Sequence, residues 1–305
     1  MSRIIELKEI RLGGNLHWGT FERILTEAGD FIGAGARSFR LNLRDVTFVK
    51  PIAAAGLAAL AISLKEKGFG FAGVEVPASR DAHSYLSRID FYKAVHAPEV
   101  SNMPRHPAHG RFVELNALTE ISECGELAGR IVEVVRNQID LDERAQNAVE
   151  FVLAEITENI FHHARSASGG FVCCQSYRDH LAIAVVDLGV GIQASLGQNP
   201  NAVEMVQQRG PLLAAIQPKM TGRPAFNSGL GLFWTSELVK ACGGVLGIHS
   251  WENRLSLYGD TAQQGRAIPW PGTAIHLLLR KNNKLNVKEI FERFAPESSN
   301  FEFLG

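Results

Sequence analysis

Apolar positions along this chain follow two alternating rhythms. "SFRLNLRDVTFV" places apolar residues at nearly every second position and predicts a strand, as does "RIIELKEI". "TFERILTEAGDFI" has the three-to-four spacing of an amphipathic helix. "PIAAAGLAALAISLKEKG" predicts a second helix, with Pro51 in its first turn and Gly68 as its stop. "FAGVEVP" and "DAHSYLSRID" continue with a short strand and a helix. Strands alternating with helices predict a small α/β domain over residues 1–95.

The rhythm then breaks. "HAPEVSNMPRHPAHG", residues 96–110, carries Pro98, Pro104 and Pro107 and reads as a linker. His96, His106 and His109 fall in it without cysteine or carboxylate partners at metal-ligand spacing, so they read as solvated. Beyond it the pattern resumes with the strand "RFVELN" and two amphipathic helices, "ISECGELAGRIVEVVRNQ" and "LDERAQNAVEFVLAEITENIFHHARS". "GGFVCCQSYRDHLAIAVVDLGVGI" reads as two strands, and "GVLGIHS", "RLSLYG" and "GTAIHLLLR" as three more. Residues 111–282 are therefore expected to form a second domain, and 283–305 a tail.

One helix carries an unusual density of polar chemistry. In "EITENIFHH", Glu155 to His163, the apolar stripe of Val149, Val152, Leu153, Ile156, Ile160 and Ala164 is flanked by Glu155, Asn159 and His163. Residues four apart advance only about 40° around a helix, so these three line one edge of the apolar face. Glu158 and His162 point farther toward solvent. A zinc-protease helix needs HExxH, and His162 and His163 are adjacent instead. Asp187 ends a predicted strand, with Gly189 and Gly191 just after it. A carboxylate there suits an amine donor such as adenine N6, and the glycines let the backbone turn tightly against a planar base. Gly229 and Gly231 stand directly before a helix, a ready anion site, and Gly272 and Thr273 open the last strand. "GVGIQA", Gly189 to Ala194, also fits the permissive dinucleotide fingerprint. The Gly- and Pro-punctuated stretch Gln193–Asn227 that follows shows no strand, so a dinucleotide-binding protein is the remote alternative. No GxxxxGK[ST] occurs.

Composition narrows the classes further. A 46% hydrophobic content excludes a disordered chain, and a net charge of −1 offers no electrostatic attraction for nucleic acid. The charged start "MSRIIELKEIRLGG" and the lack of a membrane-spanning apolar run lead us to expect a cytoplasmic protein without a membrane partner. Cys124, Cys173, Cys174 and Cys242 show no CxxC spacing and read as free thiols, with Cys173 and Cys174 on opposite faces of one strand.

Glu-x-x-x-Asn on a helix, Asp-x-Gly-x-Gly after a strand, Gly-x-Gly before a helix and a late Gly-Thr strand, in this order over Arg111 to Arg280, resemble the GHKL ATPase superfamily. That group includes gyrase, the histidine kinases and the anti-sigma-factor kinases. The resemblance implies a Bergerat α/β sandwich with a mixed sheet and a mobile ATP lid over about 193–227. It implies Mg²⁺ and phosphates at Asn159, a general base at Glu155, and adenine read by Asp187 with support from Thr273. Gly189 and Gly191 would make room for the base, and Gly229, Leu230 and Gly231 would offer amides to the phosphates. His163 matches a histidine of the anti-sigma-factor branch and would lie near them. Lys219 and Arg223 of the lid are candidates for phosphate contact. "LRDVTFVKPIAAAGLAAL" in the first half resembles the STAS fold of bacterial anti-anti-sigma factors. Where that family carries a phosphate-accepting hydroxyl, this chain has Lys50, Pro51, Ile52 and Ala53. Together the two resemblances imply an ATP-dependent regulator, an ATPase or Ser/Thr kinase, acting on a STAS-like or sigma-factor-like partner, with room for a homodimer. The alternative is a non-catalytic module whose protein contacts are gated by ATP.

Overall fold

The structure, a computed structural model, describes residues 7–33, 36–97, 110–141, 143–164, 169–224 and 228–281. The protein is α/β. Its first half runs β1 (Leu7–Leu16), a 3₁₀ turn (Trp18–Thr20), α1 (Phe21–Gly33), β2 (Ser38–Val49), α2 (Pro51–Glu66) and β3 (Gly70–Glu75). The three strands form a parallel sheet in the order β1-β2-β3, each pair joined by a helix, as parallel neighbours require. The short helices α3 (Arg80–Arg88) and α4 (Phe91–Ala94) follow, with the Ser79 hydroxyl capping α3 by accepting from the Ala82 amide.

The second half runs β4 (Phe112–Leu118), α5 (Glu123–Arg136), α6 (Glu143–Asn159) and a π-helical turn (Ile160–Ala164). Then come β5 (Gly170–Ser176), β6 (His180–Asp187), α7 (Gly191–Leu196), α8 (Pro200–Arg209) and α9 (Pro211–Ala215). α10 (Gly231–Ala241), β7 (Val245–Tyr258) and β8 (Thr261–Arg280) complete it. Its five strands take the order β4-β5-β6-β8-β7, and every pairing is antiparallel. This corrects the expected mixed sheet. β5–β6 and β7–β8 are joined by tight turns, which permit only antiparallel neighbours. β6, flanked by antiparallel partners on both sides, also lacks the parallel surroundings of a dinucleotide fold. The two runs "GVLGIHS" and "RLSLYG" form a single strand, β7, whose register slips between Ser250 and Asn253.

Strand alternation assigns the faces of this sheet. Val172, Cys174, Ile183, Val185, Ile275 and Leu277 point toward α5, α6 and α10. Phe171, Cys173, Ala184, Val186 and Ala274 point the other way, where α1 and α2 lie. Cys173 and Cys174 thus face opposite sides, and all four cysteines are buried thiols. α2 is buried on every side from Pro51 to Ala61 because it lies between the two sheets. Gly56 lets α1 approach it, since a Cβ there would come within 2.5 Å of the Phe21 ring. The layers therefore stack as sheet, helices, sheet, helices, and the two halves share a core through α2. Among the described residues, no helix is long and apolar enough to cross a membrane.

Candidate functional site

A cleft holding about 680 Å³ of space, including its open mouth, lies between α6, the end of β6, β8, the start of α10 and the segment α7–α9. Asn159, Asp187, Gly191, Gly229, Gly231 and Thr273 all line it, although they come from six separate elements and turns. Ile156, Val185, Ile192, Leu196, Leu232 and Ile275 give it apolar walls.

Asp187 is a buried carboxyl on its wall, only 6% exposed. Its Oδ1 accepts from the Gly189 amide (2.8 Å) and the Thr273 amide (3.2 Å). Among the described residues no donor reaches Oδ2. Burial pushes the carboxyl up to about 7, and the two amides only partly offset it. Gly272, at φ +103°, is required beside it, because a Cβ would run into the Asp187 carbonyl and carboxyl oxygens. The Asp187 carbonyl in turn accepts from the indole of the fully buried Trp270 (3.0 Å).

Asn159 stands where α6 gives way to the π turn, a geometry that occurs often at functional sites. Glu155, one turn earlier, packs behind Gly231, where a Cβ would come within 2.8 Å of the Glu155 Cβ. Among the described residues its Oε2 is buried without a hydrogen-bond partner, and burial, followed by the Glu158 charge, raises its carboxyl above the ordinary range. Glu155 does not itself line the cleft. The start of α10 directs helical amides toward the cavity. Gly231 and Leu232 lie on its wall, while the Leu230 amide is taken up by the Ser228 hydroxyl (3.3 Å).

The remaining candidates are placed as follows. Gly189 contributes its amide to Asp187 and is not on the cleft wall. The His163 side chain lies outside the described residues, as do His106 and His109. His96 Nδ1 is 3.0 Å from the Lys65 ammonium. Lys219 is exposed and Arg223 half-buried; neither lines the cleft, although Met220, Thr221 and Gly222 between them do.

Sequence reasoning missed the residues that hold these pieces together. Ser250 Oγ donates to the Gly272 carbonyl (2.8 Å), accepts from the Ile192 amide (2.9 Å) and lies 3.4 Å from Thr273 Oγ1. Trp251 donates from its indole to the Val190 carbonyl (2.8 Å), from a backbone held at φ +48°. That value is costly for a bulky side chain and coincides with the register slip of β7. Gly222 meets the Ser195 carbonyl so closely that a Cβ would collide. Only Gly222 carried a signal, as one of the glycines that punctuate residues 193–227; a serine inside a strand carries none.

The cleft thus offers flat apolar walls, a carboxylate acceptor with a hydroxyl beside it, and an amide side chain near a helix start. It suits a flat ligand with an amine at one end and an anionic group at the other. No protein-family model and no curated protein sequence matches the chain.

Proposed function

We propose that the chain binds Mg-ATP in this cleft and acts as a GHKL-type regulatory ATPase or Ser/Thr protein kinase, its first half serving as a STAS-like docking module. The observation that carries this reading is the convergence of Asn159, Asp187, Gly191, Gly229, Gly231 and Thr273 on one cavity. Adenine fits between the apolar walls, with its six-amine donating to Asp187 Oδ2 and Thr273 beside it. Phosphates would meet the start of α10, where Gly229 and Gly231 keep the backbone clear of side chains.

The residues present fit a magnesium ion of limited protein ligation. Among the described residues no group of three His, Cys, Asp or Glu gathers. Asn159 would supply one oxygen, and phosphates and water the rest, as this small hard cation prefers. The ion would neutralise phosphate charge. Glu155 would hold a proton on Oε2: buried and unpartnered, it is a base whose affinity for protons is already raised. α7–α9 would close over the nucleotide and exclude water.

Calorimetric titration with Mg-ATP and Mg-GTP tests the reading. ATP should bind far more tightly, because the guanine six-carbonyl would face the Asp187 carboxylate. Equal affinities overturn it. Asn159→Ala should weaken Mg-dependent binding, and Glu155→Ala should keep affinity while abolishing turnover.

The second reading, an ATP-gated interaction module without catalysis, is favoured by the position of Glu155 behind Gly231 and off the cleft wall. Phosphate transfer from labelled ATP to a STAS-like or sigma-factor-like partner separates the two.

A further inference from the structure

Lys50 precedes α2 and lies far from the cleft. Its side chain reaches His180, which opens β6, whereas Asp187 closes that strand roughly 23 Å away at the usual rise per residue. The Lys50 Nζ is 3.1 Å from His180 Nε2, and His180 Nδ1 is 2.7 Å from Asp179 Oδ1. Tyr177 stacks on His180 and presents its face 3.5 Å from the Lys50 ammonium. Lysine can only donate, so Nε2 accepts, and Nδ1–H donates to Asp179. The result is a chain of amine, imidazole and carboxylate, the arrangement that activates a nucleophile through an oriented base.

We propose that Lys50 is a reactive amine, a modification site for activated acyl groups of the acyl-phosphate or acyl-thioester class. His180 Nε2 takes a proton from the Lys50 ammonium and passes it to solvent. The freed Nζ lone pair attacks the acyl carbonyl carbon and forms a C–N bond. The bond from carbonyl carbon to phosphate oxygen, or to thiolate sulfur, breaks, and the leaving group departs with its electron pair. The second Nζ proton is lost by the same route, leaving an amide.

The surroundings weigh on both sides. Tyr177 and Asp179 favour the ammonium, and the Arg280 guanidinium, 3.3 Å from Asp179, draws on the same carboxylate. Burial outweighs Asp179 and lowers Lys50 below the ordinary lysine range. Burial, with the Lys50 and Arg280 charges, also lowers His180 against the pull of Asp179, so the imidazole is neutral and able to accept near pH 7. The position gives modification a consequence. The Lys50 amide donates to the Leu16 carbonyl (2.8 Å) and its carbonyl accepts from the Ala53 amide (3.0 Å), while the side chain meets the β5–β6 turn. Lys50 therefore pins the end of the first sheet and the start of α2 to the second sheet.

The test uses the whole chain, incubated in separate arms with acetyl phosphate and with an acetyl thioester at pH 7.5, with acetylation followed lysine by lysine by peptide mass spectrometry. Lys50 should acquire the group several-fold faster than the exposed Lys67 and Lys93 in at least one arm, and the arm names the donor. His180→Gln should bring Lys50 to the rate of those two while leaving them unchanged. If circular dichroism shows His180→Gln to be unfolded, Asp179→Asn, at an exposed position, should slow Lys50 in the same way. Labelling of wild-type Lys50 no faster than Lys67 and Lys93 in both arms overturns the proposal, as does a Lys50 rate unchanged in the folded variants.

Discussion

Asp187 is where the proposed nucleotide site would set function against stability. Its carboxyl sits near 7 in the folded chain against the ordinary 3.8. Between those values the folded state retains a proton that the unfolded state has lost. The group therefore favours folding at low pH, and that contribution fades as pH rises from about 4 to 7. Above 7 the buried anion costs on the order of 4 kcal/mol relative to an exposed aspartate, taking the shift from 3.8 to about 7. Asp187→Asn keeps an oxygen for the Gly189 and Thr273 amides and removes the charge. Scanning calorimetry should show the variant melting several degrees higher at pH 8 and nearly unchanged at pH 4. The same variant places an amine where the oxygen faced the cleft, so its nucleotide preference should move from ATP toward GTP. Ser250 tests the frame around that carboxyl. Ser250→Ala leaves the part-buried Ile192 amide and the buried Gly272 carbonyl without their shared partner, a cost of about 1–3 kcal/mol. It should reduce the ratio of ATP to GTP affinity while the Mg dependence at Asn159 stays intact, as read by titration with and without the metal.

At the scale of elements, the segment α7–α9 is fastened from an unexpected direction. Gln264, on β8 beyond the cleft, accepts from the Leu212 and Leu213 amides at 3.1 and 3.0 Å and donates to the Arg209 carbonyl at 3.4 Å. It therefore caps the start of α9 and the end of α8 at once, around Gly210 at φ +82°. Asn199 ties the start of α8 to the Thr221 carbonyl (2.8 Å). Gln264→Ala should cost about 1 kcal/mol, as the loss of a cap does, and the loss falls on that segment alone. Hydrogen exchange should quicken across residues 191–216 and stay constant in α6 and α10. This fastening was illegible in the sequence, as were the join of the two β7 runs through residues 251–253 and the extension of β8 through 261–271, because polar strand positions carry no hydrophobic rhythm. The helices were legible because their signals are local: Pro51 opens α2, Gly68 at φ +85° ends it, and the glycines at 229 and 231 precede α10. Asn159 and Asp187 were legible for the same reason, each marked by neighbours within a few residues. The antiparallel order of the second sheet was not, since pairing is decided between distant segments, and neither was the role of Ser250, which acts through the distant Ile192 and Gly272.

For the whole molecule, the consequence of stacking one sheet on another through α2 is that the halves should not unfold separately. The seam is closed at its other end by the 3₁₀ turn. The Trp18 indole stacks on His276 with centroids 5.8 Å apart and donates to Ser256 Oγ at 3.3 Å. Arg254 lies 4.6 Å over the same indole and pairs with Glu22 at 2.9 Å, so β7 and β8 grip α1 directly. His276 is the weak point under acid. Burial, helped by the Lys50, His180, His17 and Arg254 charges, holds it down at about 3, so it stays neutral in the fold. The unfolded chain protonates it near 6.5, and between these values the unfolded state binds the extra proton. Stability from this group is thus present above 6.5 and drains as pH falls, by about 1.4 kcal/mol per unit. His249 and His180, both lowered by burial, act in the same direction, while Asp187 and Glu155, both raised by burial, oppose them. Three such groups against two predict a net loss from pH 6.5 to 4.5. His276→Phe keeps a ring against Trp18 and removes the proton site. Thermal melts should therefore show one cooperative transition in both proteins at pH 7. The wild-type midpoint should fall on acidification, and the fall should be shallower in His276→Phe. A midpoint that drops in parallel in both would place the acid sensitivity elsewhere in the seam.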